Sequence, residues 1–178
     1  MSVNKDFSYW VFGYGSLIWK PGFEYVEKQK ALLNGAHRCL CIYSHHYRGS
    51  KESPGLVFGL MPKGSCYGMA FRVDKKNWDN VFAYLQQREQ VSGVYKEKYH
   101  QIILDNGEKV TALTYFANSE HEQYAGDIEI ENQVKIVTSA TGEMGNNLDY
   151  VINTADHLSK MGINDENLSK LRTKLSEY

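Results

Sequence analysis

The chain of 178 residues carries no surplus of either charge, with 20 basic residues against 21 acidic ones. That balance removes the electrostatic footprint of a nucleic-acid binder or of a protein held on an anionic membrane. Cysteine is scarce, three in all at Cys39, Cys41 and Cys66. An odd count without framework spacing argues against a secreted disulfide scaffold. No apolar run approaches the roughly 18 residues that a membrane helix needs. The opening MSVNKDFSYW lacks the basic and apolar regions of a signal peptide. Repeats, low-complexity tracts and linkers are missing too. These absences lead to the expectation of one domain over 1–178, with a short N-terminal tail before about residue 9, in a reducing cytoplasm.

Hydrophobic residues make up 42% and charged residues 23%. At this length that is enough to bury a core without metal or disulfide staples. The first half reads as strands: Ser8–Tyr14, Ala36–Tyr47, and Leu56–Met61 and Cys66–Val73 either side of Pro62-Lys63-Gly64-Ser65, a hairpin-loop sequence. From Lys75 to Gln90 the period changes. Trp78, Val81, Phe82 and Leu85 recur at helical spacing behind Asp74, an expected N-cap. Tyr99–Leu104 and Lys109–Phe116 flank Asp105-Asn106-Gly107-Glu108, a strong hairpin signal. Three helical stripes follow. The first holds Ile130, Val134 and Val137 with Asp127 as its expected cap. The second runs from Leu148 to Leu158 and stops at Gly162, and the third is Leu168, Leu171 and Leu175. Strands first and helices later predict an α+β domain with a largely antiparallel sheet; parallel βαβ alternation is lacking.

Two places carry chemistry. In VFGYGSLIWK, Gly13-Tyr14-Gly15-Ser16 interrupts an apolar strand. A dinucleotide fingerprint fails because Ile18 stands where its third glycine belongs and no helical pattern follows. A P-loop fails because Lys20 is out of register. What remains is a nest of backbone N–H groups suited to a carboxylate or oxyanion, or a plain turn with a bulge. The second place is Glu89, at the C-terminal end of the predicted helix, where the dipole disfavours a carboxylate. Such an acid serves as a general base of raised pKa; the competing reading is a solvated surface glutamate.

Further segments line up in one order: Tyr47-Arg48-Gly49 with Ser53-Pro54-Gly55-Leu56-Val57, Tyr67-Gly68-Met69-Ala70-Phe71, Tyr84-Leu85-Gln86-Gln87-Arg88-Glu89 with Tyr95, Tyr124-Ala125-Gly126, and Gly145-Asn146-Asn147-Leu148-Asp149-Tyr150. With WVFGYGSLIWK this set resembles the ChaC family of γ-glutamylcyclotransferases, from about Trp10 to about Leu168. The chain departs from the family pattern in the loop after Glu89. It also has Tyr47 where histidine is common, Tyr67 where tryptophan is common and Asp127 where proline is common.

The resemblance implies a γ-glutamylcyclotransferase-like fold, a mostly antiparallel sheet curled into a small barrel with flanking helices. It implies cleavage of glutathione to 5-oxoproline and Cys-Gly without metal or organic cofactor. Glu89 is then the catalytic base. The segment Val11, Phe12, Gly13, Tyr14, Gly15, Ser16 and Leu17 grips the substrate. Arg48 holds a substrate carboxylate or, alternatively, makes a surface ion pair; Tyr95 and Tyr124 wall the pocket. Glutathione is the expected partner, with no nucleic acid, membrane or obligatory protein partner. Rival readings are a cyclotransferase for other γ-glutamyl compounds and a non-catalytic γ-glutamyl metabolite-binding module. The spacing of Cys39-x-Cys41 with His37, His45 and His46 does not suit zinc, and Trp10, Trp19 and Trp78 are expected in packing.

Overall fold

The computed structural model describes residues 9–89 and 92–178. The expected tail before residue 9 lies outside the described residues, as do Gln90 and Val91 of the loop after Glu89. Five strands form a closed barrel in the order β1-β3-β2-β4-β5: β1 (Trp10–Gly13), β2 (Glu27–Ser44), β3 (Gly55–Arg72), β4 (Tyr95–Leu104) and β5 (Lys109–Ala117). Every pairing is antiparallel except the seam, where Trp10 and Val11 of β1 run parallel to Ala112 and Leu113 of β5. The α+β barrel expected above is the fold observed.

Two expectations are corrected here. Pro62-Lys63-Gly64-Ser65 is not a hairpin loop, because β3 continues through it against β2. Between the pairs Asn34–Ser65 and Ala36–Pro62, Gly35 stands opposite both Lys63 and Gly64. All three have positive φ, at 94°, 80° and 77°. This is a β-bulge, and its added twist bends the long ribbon into the barrel. The strand around Ala36–Tyr47 begins much earlier than expected, at Glu27.

The β4–β5 hairpin, the α2 helix (Trp78–Glu89) and its Asp74 cap agree with the sequence reading. The Asp74 carboxylate accepts from the Lys76 N–H, and a 3₁₀ turn over Lys75–Asn77 leads into α2. Helix α3 (Ile130–Ser139) has Glu129, not Asp127, at its N-cap, with no side-chain capping bond. Two short strands, β6 (Thr141–Gly142) and β7 (Gly145–Asn146), precede α4 (Asn147–Lys160) and α5 (Glu166–Leu175).

The main core fills the barrel and continues under α3, α4 and α5, where Leu168, Leu171 and Leu175 dock as core residues. A second cluster packs the buried face of α2, with Trp78, Val81 and Leu85, against Val11, Leu113 and Tyr115. Adjacent residues of β1 point to opposite sides, so Phe12 enters the first cluster and Val11 the second. The glycine turn that follows β1 therefore emerges between the two.

Candidate active site

The turn after Gly13 depends on close approaches that no side chain permits. A Cβ on Gly13 would lie 2.7 Å from the Leu17 Cβ, and one on Gly68 would lie 2.3 Å from the Gly13 carbonyl oxygen. The chain then enters a one-turn helix, α1 (Ser16–Trp19), which corrects the expectation that no helix follows the glycines. The first amides of any helix have no partner within it. Val11 and Phe12 are fully buried in opposite clusters and Leu17 packs in the second of them, so these side chains serve the core. A ligand would meet the backbone of this segment.

Four elements converge on Glu89. It is the last residue of α2, and its side chain is 16% exposed. Burial raises its carboxyl above the ordinary glutamate range, while the neighbouring Arg88 guanidinium pulls it down. The electrostatic neighbourhood of Glu89 takes in Tyr14 from the turn, Tyr95 and Tyr115 from β4 and β5, and Tyr150 from α4. Burial pushes all four phenols up, so they stay protonated as hydrogen-bond donors. The Tyr14 hydroxyl donates to the Tyr115 carbonyl oxygen at 2.5 Å. The Tyr95 hydroxyl donates to the Phe58 carbonyl oxygen at 2.8 Å, and the Phe58 N–H donates to the Tyr150 hydroxyl oxygen at 3.0 Å. Both site tyrosines are thus fixed on one residue of β3. That edge is open to them because β1 pairs only with Met69–Arg72 of the strand.

Arg88, which the sequence reading left without a role, ties the turn to Glu89. Its guanidinium donates to the Ser16 hydroxyl at 2.9 Å, to the Lys20 and Pro21 carbonyls at 2.6 and 2.9 Å, and to the Tyr84 hydroxyl at 3.0 Å. Its Nε stands 3.4 Å from a Glu89 carboxylate oxygen. The signal was its position beside Glu89 at a helix end. Asn147 was also missed as a working residue. Its side-chain amide accepts from the Leu56 N–H and donates to the Leu56 carbonyl, each at 2.7 Å, and one helical turn later Tyr150 meets Phe58.

Arg48 lies over the Tyr150 ring, 5.4 Å from its centroid, and donates to the Asn146 carbonyl at 3.1 Å. Partial burial lowers its pKa, and the loop carrying it is pinned to residues 143–144 by two backbone bonds. The alternative of a simple surface ion pair does not describe this placement. Tyr124 lies beside the Glu89 group, sharing a cluster with its member Tyr95. It bridges to Ile42 and packs in a third cluster with Cys39, Cys41, Val94 and Tyr95.

A family model described as ChaC-like protein matches residues 9–178. The glutathione-specific γ-glutamylcyclotransferase of Escherichia coli K12 is 31% identical over 162 residues, covering 91% of this chain and 70% of that protein. The enzyme of the same name from Schizosaccharomyces pombe is 31% identical over 180 residues, covering 89% of this chain and 88% of the other. In fold, the chain superposes with a TM-score of 0.88 on the crystal structure of a γ-glutamyl cyclotransferase specific to glutathione from yeast, at 21% identity over 95% and 96% of the two chains. With the family model spanning nearly the whole chain and relatives above 30% identity over most of it, the chain belongs to the ChaC-like protein family.

Proposed function

We propose that the chain is a glutathione-specific γ-glutamylcyclotransferase that converts glutathione to 5-oxoproline and Cys-Gly. The observation that carries the reading is Glu89, a carboxyl raised by burial, partly open, and set among protonated tyrosines beside the glycine turn. The names of the relatives from E. coli and S. pombe support the substrate.

In this reading the α-amine of the substrate attacks its own γ-carbonyl. That amine is an ammonium near neutral pH, titrating at about 7.7–8.0, against about 4.3 for a free glutamate. Raising Glu89 narrows the gap and makes it a competent base. Glu89 first takes one proton from the ammonium, which frees the lone pair for attack. As the ring N–C bond forms and the amide C–N bond breaks, the ring nitrogen gives up a second proton. The two protons go to the leaving nitrogen, so that Cys-Gly departs as an ammonium and Glu89 is again a carboxylate. Water is not consumed.

Nucleophile and carbonyl belong to one molecule, so the protein's largest task is to fold it. Correct positioning supplies about 7–11 kcal/mol in favourable intramolecular cases. We assign the backbone N–H groups of the Gly13–Leu17 turn to the glutamyl end and to the developing oxyanion, where one good donor is worth about 2.7–4 kcal/mol. Tyr95 forms a wall, and Tyr150, absent from the sequence-level assignment, forms another. We assign Arg48 to the glycine carboxylate and Tyr124 to the outer end of the pocket near the cysteinyl group.

The test is to incubate the purified protein with glutathione and follow 5-oxoproline and Cys-Gly by mass spectrometry, with Glu89→Gln in parallel. Equal amounts of both products from the parent and none from the variant are expected. A parent that leaves glutathione intact but cyclises γ-glutamylamines, which lack the glycine carboxylate, would refute the substrate and the role of Arg48 together.

A further inference from the structure

Arg38, in the middle of β2, is 5% exposed and takes no part in the chemistry described above. Its guanidinium is fully engaged. Nε donates to the Tyr14 carbonyl oxygen at 2.6 Å, one terminal nitrogen binds the Asp165 carboxylate at 2.7 Å, and the other donates to the Tyr67 carbonyl. A buried ion pair is weak evidence of a stabilising purpose, since apolar residues of similar volume often do as well. What an apolar residue could not do is hold the Tyr14 carbonyl. In a planar trans peptide the C=O and N–H point in opposite directions. An oxygen aimed at Arg38 therefore turns the Gly15 N–H away from Arg38. On Gly15 itself, the absent Cβ would sit 3.4 Å from the Tyr150 hydroxyl. Tyr14 is meanwhile held at its other end by the bond from its hydroxyl to Tyr115. With both ends of residue 14 fixed, the peptide has little freedom to flip.

We propose that Arg38 is a positioning residue for the reaction: by holding the Tyr14 carbonyl it aims the Gly15 N–H at the substrate. Arg38 acts through this peptide and touches neither substrate nor base. The proposal rests on the cyclotransferase reading.

Two measurements test it. In Glu89→Gln protein labelled with ¹⁵N-glycine, addition of glutathione is expected to shift the Gly15 amide resonance strongly. The Gly107 amide, in the β4–β5 turn, should stay in place. In the second measurement, Arg38→Lys keeps the charge but cannot hold three acceptors in a planar fork. Its kcat is expected to fall on the order of 10²-fold, as for loss of one oriented donor. KM should change less, and the acid limb of the pH profile should not move. A Gly15 amide indifferent to bound glutathione overturns the proposal, whether or not the Arg38 variant folds. So does a folded Arg38→Lys with parental kcat. If the parent neither binds nor turns over glutathione, the cyclotransferase reading fails first and takes the proposal with it. That result is distinct from a working enzyme indifferent to Arg38.

Discussion

At the scale of single residues the site is a balance between burial and one cation. Burial raises the Glu89 carboxyl and Arg88 opposes the rise. A base must be deprotonated to act, so kcat/KM should be lost as pH falls through the raised Glu89 value, above the ordinary carboxylate range. Replacing Arg88 by methionine removes the charge that favours the ionised form. The Glu89 value then rises further, and the acid limb of the profile moves to higher pH. The same substitution frees Ser16, Lys20 and Pro21 from their shared donor, so KM should rise as well. A pH–rate series on Arg88→Met reads both effects. A limb that stays put would confine Arg88 to holding the turn. The sequence singled out Glu89 because a carboxylate at a helix C-terminus stands out, and the structure has it at the end of α2. It gave Arg88 only a weak signal, since an arginine near a helix end is ordinary until its acceptors, some seventy residues earlier in the chain, are in view.

At the scale of elements, α4 is fastened to the free edge of β3 by two side chains rather than by another strand. Asn147 pairs with both peptide groups of Leu56 and is wholly buried; Tyr150 accepts from Phe58. Asn147→Leu keeps the branched shape and the number of heavy atoms and leaves a buried N–H and a buried C=O without partners. Each orphan costs about 1–3 kcal/mol. Urea unfolding should show the midpoint falling accordingly, and an unchanged midpoint would mean that the strand edge finds other partners. The same strand shows where pattern reading breaks down. Residues 62–65 have authentic turn chemistry, and Lys63 and Gly64 do adopt positive φ. In place of reversing the chain they bend it, because Gly35 on the partner strand yields at the same level. A single sequence cannot separate a turn from a bulge without knowing what lies opposite. Glu27–Lys30 escaped for a related reason, being too polar to look like a strand while held on β3.

At the scale of the molecule, the barrel closes through its weakest join, a parallel seam of two residue pairs between β1 and β5. The site turn hangs from the end of β1, so ligand gripped by that turn should stiffen the seam. Amide exchange of residues 10–13 and 112–113 is therefore expected to slow when glutathione is added to Glu89→Gln protein, with the β4–β5 turn unaffected. Uniform exchange rates with and without ligand would argue that turn and seam are uncoupled. The fold class was legible because helix and strand periods are local properties. The site was legible in its motif residues, Glu89 and the glycines, and hidden in its supports: Arg38, Arg88 and Asn147 act through partners remote in sequence.

That remoteness has a consequence for how the protein is made. Tyr14 waits for Tyr115, 101 positions later, and Arg38 waits for Asp165, 127 positions later. During synthesis the glycine turn precedes both of these partners by more than 100 residues, so two of the holds on it form only after they have followed. A chain that stops before Asp165 would carry the signature motif and the glutamate but lack one of the holds on the turn. In such a chain the turn should therefore be looser, and any turnover of glutathione correspondingly slower.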